Sequence, residues 1–190
     1  MTTLQDAAQF VVMEHQVGGH STAKTSLRAH NGRIMKPFQS KQRGEREHEF
    51  YQRVFAGDAS AANAQLRPLI PRYEGVAVVT EDEATAGLHA GKFLVLEDLT
   101  WGRKWPCIMD VKVGTRSYED GASAEKIAYE RSKFPLQPTV GLRVQGIKAF
   151  DATTGTYVEH DKHAGRGVQS HDHLVALFGR YFSLAGPHAQ

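Results

Sequence analysis

Apolar residues in this chain fall into short blocks cut by glycine, proline and charged stretches. The block at 11–17 reads as a strand, Gly18, Gly19 and His20 break it, and a polar stretch runs on to His30. Asn31-Gly32 is a strong two-residue hairpin signal, with 33–38 as the returning strand. Over 43–55 the period becomes helical: Glu47, Phe50, Tyr51 and Val54 fall at i, i+3, i+4 and i+7 on one face. A weaker helix is expected at 59–67, and Pro68 and Pro71 punctuate the chain beyond it. Segments 76–80 and 92–96 read as a strand pair joined by the acidic loop 81–91, and 97–105 as a connector. The first half is therefore expected to be dominated by antiparallel strands with one or two helices.

The second half opens on Pro106-Cys107-Ile108-Met109-Asp110-Val111-Lys112-Val113-Gly114, apolar except for one acid and one base. Strand side chains alternate, so Asp110 and Lys112 project from one face while Cys107, Met109, Val111 and Val113 point into a core. Two opposite charges on a half-buried strand are costly unless they pair or do chemistry. Ser123 is placed to cap a helix running to about residue 134, which Pro135 and Pro138 end. Residues 140–150 read as a strand, succeeded by an Asp-Ala-Thr-Thr-Gly turn. The last helix, 171–182, carries Leu174, Val175, Leu177, Phe178, Tyr181 and Phe182, a broad apolar face for which residues 183–190 offer no partner.

Composition narrows the class. The 190 residues are 41% hydrophobic and 23% charged, which fits one domain or two small lobes sharing a cleft. A formal net charge of +2 is too mild for bulk nucleic-acid binding, though clustered lysines still suit an anionic small molecule. One cysteine excludes an internal disulfide framework and points to a reducing compartment. Residues 1–10 lack the basic flank and apolar run of a signal peptide, and no stretch approaches the roughly 20 apolar residues of a membrane span. A soluble, monomeric protein of the cytoplasm and/or nucleus is expected.

Four features carry candidate chemistry. Glu47 lies on the apolar face of its helix and needs a cation; Lys36, on the preceding strand, is the nearest in sequence. Such a strand Lys held by a helix Glu grips nucleotide phosphates in protein kinases, and equally serves as a structural ion pair. The Gly18-Gly19-His20 turn can aim backbone amides at an anion or be a plain turn. Phe93-Leu94-Val95-Leu96-Glu97-Asp98-Leu99, an apolar strand running into a polar connector, can offer backbone groups to an adenine ring or simply end. Lys126 and Lys133 share a helix face, with Tyr129 and Glu130 between them, a ridge suited to a polyanion or to solvent. The histidine pairs 160/163 and 171/173 match no zinc spacing.

These features occur in an order that resembles the inositol polyphosphate kinase family. The likeness rests on P-x-x-x-D-x-K-x-G at 106–114 with Ser117-Tyr118, on Glu125-Lys126-Ile127, on Ser132-Lys133-Phe134-Pro135-Leu136 and on Gly141-Leu142-Arg143-Val144 with Gly146. In the first half it rests on Gln16-Val17-Gly18-Gly19-His20, Ile34-Met35-Lys36 and Glu47-x-Glu49-Phe50-Tyr51. It is similar to the multikinase branch above all; Gly114-Thr115-Arg116 also suits the inositol hexakisphosphate kinases.

The resemblance implies an α+β, two-lobed, protein-kinase-like fold, with a nucleotide-binding lobe at 1–99 and a lobe at 100–190 that carries the catalytic strand. It implies ATP and Mg2+ as cofactors and an inositol phosphate as phosphoryl acceptor. Lys36 would contact ATP phosphates, oriented by Glu47, and Glu97 and Leu99 would bind adenine through their backbone. Asp110 would hold ribose or assist the accepting hydroxyl. Lys112 would stabilise the transferring phosphoryl group, and Lys126, Lys133 and Lys148 would bind substrate phosphates. The family also carries an Asp-Phe-x segment whose Asp binds magnesium; no Asp-Phe pair occurs here, which implies an incomplete second lobe and leaves the metal ligand unassigned. The rival expectation is a non-catalytic relative that binds inositol phosphate, nucleotide or a protein; an accidental motif in a general anion-binding domain is the remoter one.

Overall fold

The computed structural model describes residues 9–18, 26–40, 42–84 and 88–185. The chain divides into two compact units, one of residues 1–16 and 20–103, the other of 17–19 and 104–190. None of the described helices is long and apolar enough to cross a membrane.

The first unit is built on a five-stranded antiparallel sheet in the order β1-β2-β3-β5-β4. Its strands are β1 (Val11–Val12), β2 (Arg28–His30), β3 (Arg33–Pro37), β4 (Tyr73–Val79) and β5 (Gly91–Glu97). Asn31 and Gly32 make the expected tight turn, both with positive φ (52° and 78°), which joins β2 to β3 with His30 facing Arg33. The first strand is far shorter than its apolar block suggests, and β2 lies in a stretch whose polar residues hide it. Central β5 has near-continuous apolar sequence and is buried between β3 and β4, so Phe93, Val95 and Met35 pack on one side of the sheet with Phe10 and Leu88.

Helix α1 (Arg43–Phe55) forms as the period predicts and buries Tyr51 and Val54. Tyr51 stacks on Tyr73 with ring centroids 5.6 Å apart, against Leu94 and Leu96. The weaker helix is α2 (Ala61–Leu66), capped by Ser60 and continued by a 3-10 turn at Arg67–Leu69.

The second unit holds a three-stranded antiparallel sheet, β6 (Ile108–Val113), β7 (Leu142–Asp151) and β8 (Thr156–His160), with β7 in the middle. Helix α3 (Ala124–Ser132) starts where expected, the Ser123 hydroxyl accepting from the Lys126 amide at 3.3 Å. A short α4 (Gln137–Val140), β8 and α5 (Lys162–Arg166) lie where the sequence shows only turns and polar residues. Helix α6 (His171–Ala185) does find a partner: Leu174, Leu177, Phe178 and Tyr181 join Phe134, Val144 and Ile147 in the core. The partner is β7, earlier in the chain, while Val175 and Phe182 of the same face stay exposed. An apolar cleft of about 630 Å3 remains beside it, lined by Val140, Leu142, Leu174, Val175 and Phe178.

Candidate active site

In the first unit, Lys36 and Glu47 meet as their positions imply. Lys36 Nζ donates to Glu47 Oε1 at 2.6 Å, and both side chains are only partly exposed. The pair links sheet to helix, β3 to α1, and leaves two ammonium protons for a further acceptor. Burial, and behind it the Glu47 charge, push the neighbouring Tyr51 hydroxyl up to about 12. At the end of β5 the connector is fixed by backbone bonds. The Glu97 amide donates to the Arg72 carbonyl and the Asp98 amide to the Gly32 carbonyl, each at 2.9 Å. Asp98 Oδ1 accepts from both the amide and the hydroxyl of Thr100. Leu99 turns its side chain to solvent, and its carbonyl accepts from Arg103 Nε at 2.9 Å.

In the second unit the chemistry gathers on one face of the β6–β7 sheet. Asp110 stands opposite Gly146 and Lys112 opposite Arg143. The register shifts between those pairs, because Gln145 is an extra residue on β7. That bulge lets Val144 and Ile147 both enter the core while Arg143, Gly146 and Lys148 share the face of Asp110 and Lys112. Gly146 is open enough for Val17 to cross it: a Cβ at 146 would lie 2.8 Å from Val17 Cγ1. The next residue, Gly18, takes φ 71° directly over Asp110, where any side chain would overlap the Asp110 carboxylate. Gly18 thus belongs to the candidate site; Gly19 and His20 lie outside the described residues.

Helix α3 supplies the rest. Glu130, 7% exposed, accepts through Oε1 from Lys126 Nζ at 2.8 Å and from Lys133 Nζ at 2.7 Å. Its Oε2 faces Arg143 Nη2 at 3.8 Å. Burial alone would raise the Glu130 carboxyl, but the two lysine hydrogen bonds and charges outweigh it and hold it down to about 2. The Lys112 ammonium is lowered from its ordinary value, first by burial and then by the Arg143 charge, with Lys133 adding to the effect and Glu130 and Asp110 opposing it. Arg143 is likewise lowered by burial and by nearby Arg166, against the pull of Glu130. The Lys126 and Lys133 ammonium groups lie over the ring of Tyr129, with Nζ 5.6 Å and 4.0 Å from its centroid.

The structure therefore holds Lys126 and Lys133 on one carboxylate, with Lys112 within its electrostatic reach and Asp110 beside Lys112 on the strand. Lys148 is held apart on the β8 side, where it pairs with Glu159 at 3.0 Å over the ring of Tyr157. Sequence reasoning gave no role to Glu130 or Arg143. Glu130 was legible as the residue four after Lys126 and three before Lys133, the two spacings at which helix side chains meet. Arg143 was legible as one of two cations, with Lys148, inside an otherwise largely apolar strand. Among the described residues no three His, Cys, Asp or Glu side chains gather as a metal cluster.

Comparison with known proteins bears on this arrangement. Residues 93–189 match the family model described as Inositol polyphosphate kinase. The inositol polyphosphate multikinase of Rattus norvegicus is 38% identical over 162 residues, 83% of this chain and 39% of that protein. Inositol polyphosphate multikinase beta of Arabidopsis thaliana is 31% identical over 171 residues, covering 87% of this chain and 55% of its own length. Inositol hexakisphosphate kinase 1 of Mus musculus is 39% identical over 89 residues, 46% of this chain and 21% of that protein. Among solved structures, the inositol phosphate multikinase of S. cerevisiae in complex with ADP and Mn2+ superposes with a TM-score of 0.57 at 25% identity. The superposition covers 80% of this chain and 58% of the yeast chain. This chain spans 39% of the length of the rat multikinase.

Proposed function

Because the chain belongs to the inositol polyphosphate kinase family, we propose that it transfers the γ-phosphoryl group of ATP to a hydroxyl of an inositol phosphate. Its α+β, kinase-like fold is that of its structural relatives. The observation that carries the reading is the cation cluster of the second unit. Lys112, Lys126, Lys133 and Arg143 converge near Glu130, with Asp110 close to Lys112. Lys112 is depressed first by burial and then by the Arg143 charge, with Glu130 and Asp110 offsetting part of the effect, so its surroundings favour added negative charge. A polyphosphorylated ligand supplies that charge.

The roles divide by unit. Lys36, steadied by Glu47, holds nucleotide phosphates, and the backbone at Glu97 and Leu99 reads adenine. Asp110 orients the accepting hydroxyl or the ribose. Lys112 neutralises charge on the phosphoryl group in transfer, while Lys126 and Lys133 hold substrate phosphates and Lys148 reaches a further one on release from Glu159. Phosphoryl transfer needs mainly positioning and cations around spreading charge, which this set supplies. A magnesium ion would arrive with ATP, held by its phosphates and one or two carboxylates, and would neutralise the β- and γ-oxygens. Asp110 is the carboxylate on this face that fits such a role.

The test is transfer of labelled γ-phosphate from Mg-ATP to inositol trisphosphate, tetrakisphosphate and hexakisphosphate. Turnover on the tris- or tetrakisphosphate that falls at least about 100-fold in Lys112→Ala, as expected when a preorganised charge at the transferring group is lost, supports the multikinase reading. Turnover on the hexakisphosphate alone moves the chain to the branch it matches over 89 residues. Binding without turnover makes it a non-catalytic relative.

A further inference from the structure

The functional reading leaves Arg143 without a task. It is 3% exposed, its Nε and Nη1 make no hydrogen bond among the described residues, and Glu130 Oε2 stands 3.8 Å from its Nη2, beyond hydrogen-bonding distance. Donors buried and unpaired on a cation carry a high cost, so the observed geometry is one of two that the group must serve. Glu130 shows the complementary half. Its short bonds go through Oε1 to Lys126 and Lys133, the two lysines assigned to substrate phosphates. When those ammonium groups turn to phosphate, the Glu130 carboxylate is left charged in a buried position. Without the two lysines burial pushes that carboxyl up, so it stays charged only where another cation takes their place. A buried carboxylate stripped of its partners opposes substrate binding unless a cation replaces them. Arg143 lies on the other oxygen of that carboxylate with its fork open.

We propose that Glu130 and Arg143 form a counter-ion relay that presents Lys126 and Lys133 to the substrate. In the empty site Glu130 holds the two lysines in a fork. As phosphate draws them away, the Arg143 guanidinium closes onto the bared carboxylate and pairs with both oxygens. Arg143 is thus a positioning residue. It does not touch substrate; it sets how freely the lysines leave their clamp. No proton or covalent bond changes hands, only hydrogen-bond partners.

The relay rests on the inositol phosphate reading, and the experiment separates the two. Binding of inositol tetrakisphosphate is measured by calorimetry for the wild-type chain, Arg143→Met, Glu130→Gln and the double variant. Arg143→Met is expected to weaken binding at least tenfold, because the carboxylate then has nothing to replace its lysines. Glu130→Gln is expected to bind at least as well as wild type, the clamp being gone. The double variant is expected to recover to within about threefold of wild type, since a neutral amide needs no counter-ion. A purely structural role for Arg143 predicts no such rescue. Wild-type affinity in Arg143→Met, or a double variant as weak as Arg143→Met, overturns the relay.

Should Arg143→Met fail to fold, Arg143→Lys and its combination with Glu130→Gln give the same comparison with the charge kept and the fork removed. A second readout uses inorganic pyrophosphate and the Arg143 Nε–H resonance. A downfield shift and slowed exchange on titration, absent in Glu130→Gln, support the relay, and an unmoved resonance overturns it. Failure of the wild-type chain to bind the inositol phosphate while this resonance still responds sinks the substrate reading and leaves the relay standing.

Discussion

Glu130 is the residue on which the second unit's electrostatics turn, and its effect reaches stability as well as binding. Its carboxyl sits near 2 in the folded chain against an ordinary value of 4.5. A carboxyl depressed on folding adds stability that is fully present above the unfolded value and is lost as pH falls toward the folded one. The window is therefore about pH 4.5 down to about pH 2. A difference of that size corresponds to roughly 3 kcal/mol, at about 1.4 kcal/mol per pH unit. Urea unfolding of the wild-type chain across this range should show the loss, and Glu130→Gln should remove that part of the slope while being less stable at neutral pH. An unchanged acid profile in the variant would mean the lysines are not held as described. Lys112 is the counterpart: burial and like charges disfavour its ammonium, so a bound polyanion returns the proton affinity that the empty site withholds.

At the scale of elements, the bulge at Gln145 decides which residues share the working face, and Gly146 decides what can lie on it. Gly146→Ala puts a Cβ 2.8 Å from Val17 Cγ1 and 3.3 Å from the Gly18 amide nitrogen. The crossing segment must shift off Asp110. Overpacking of this kind costs about 1–3 kcal/mol, and the displaced Gly18 should cost turnover as well. Thermal unfolding and kcat for the variant check both; a variant with wild-type kcat would show that the Val17–Gly18 crossing is idle. This is also where legibility in the sequence divides. Helix α1, the Asn31-Gly32 hairpin, the Ser123 cap and the alternation from Cys107 to Val111 are local signals, and each stands in the structure, whereas Val113, expected in the core, lies exposed at the end of β6, past the apolar cluster. The meeting of Lys36 with Glu47 was legible because a carboxylate on an apolar face demands a cation. Strand β2 and strand β8 were not, since Arg28-Ala29-His30 and Thr156–His160 are held in place by pairing with β3 and β7 rather than by apolar content. The approach of Gly18 to Asp110 spans ninety-two positions, and no local pattern encodes it.

For the whole molecule, charge placement matters more than charge total. The chain's net charge is only +2, yet Lys112, Lys126 and Lys133 gather near Glu130 and Asp110 on one strand-and-helix surface of the second unit, with Arg143 buried behind them. A ligand that meets this surface meets a local field that the overall composition does not reveal. Exposed parts of such a field are screened over about 10 Å at 0.1 M ionic strength and about 3 Å at 1 M. Lys126 is half exposed and Lys133 is not, so screening should act on the former and spare the latter. Affinity for inositol tetrakisphosphate should therefore fall as salt rises from about 0.05 to about 0.5 M, and the slope of that fall should flatten in Lys126→Met more than in Lys133→Met. Lys133→Met should instead lower affinity at every salt concentration, since a cation shielded from solvent contributes through desolvated contact and not through a screened field. Equal slopes for the two variants would mean that both lysines work from solvent, and that the carboxylate between them organises neither.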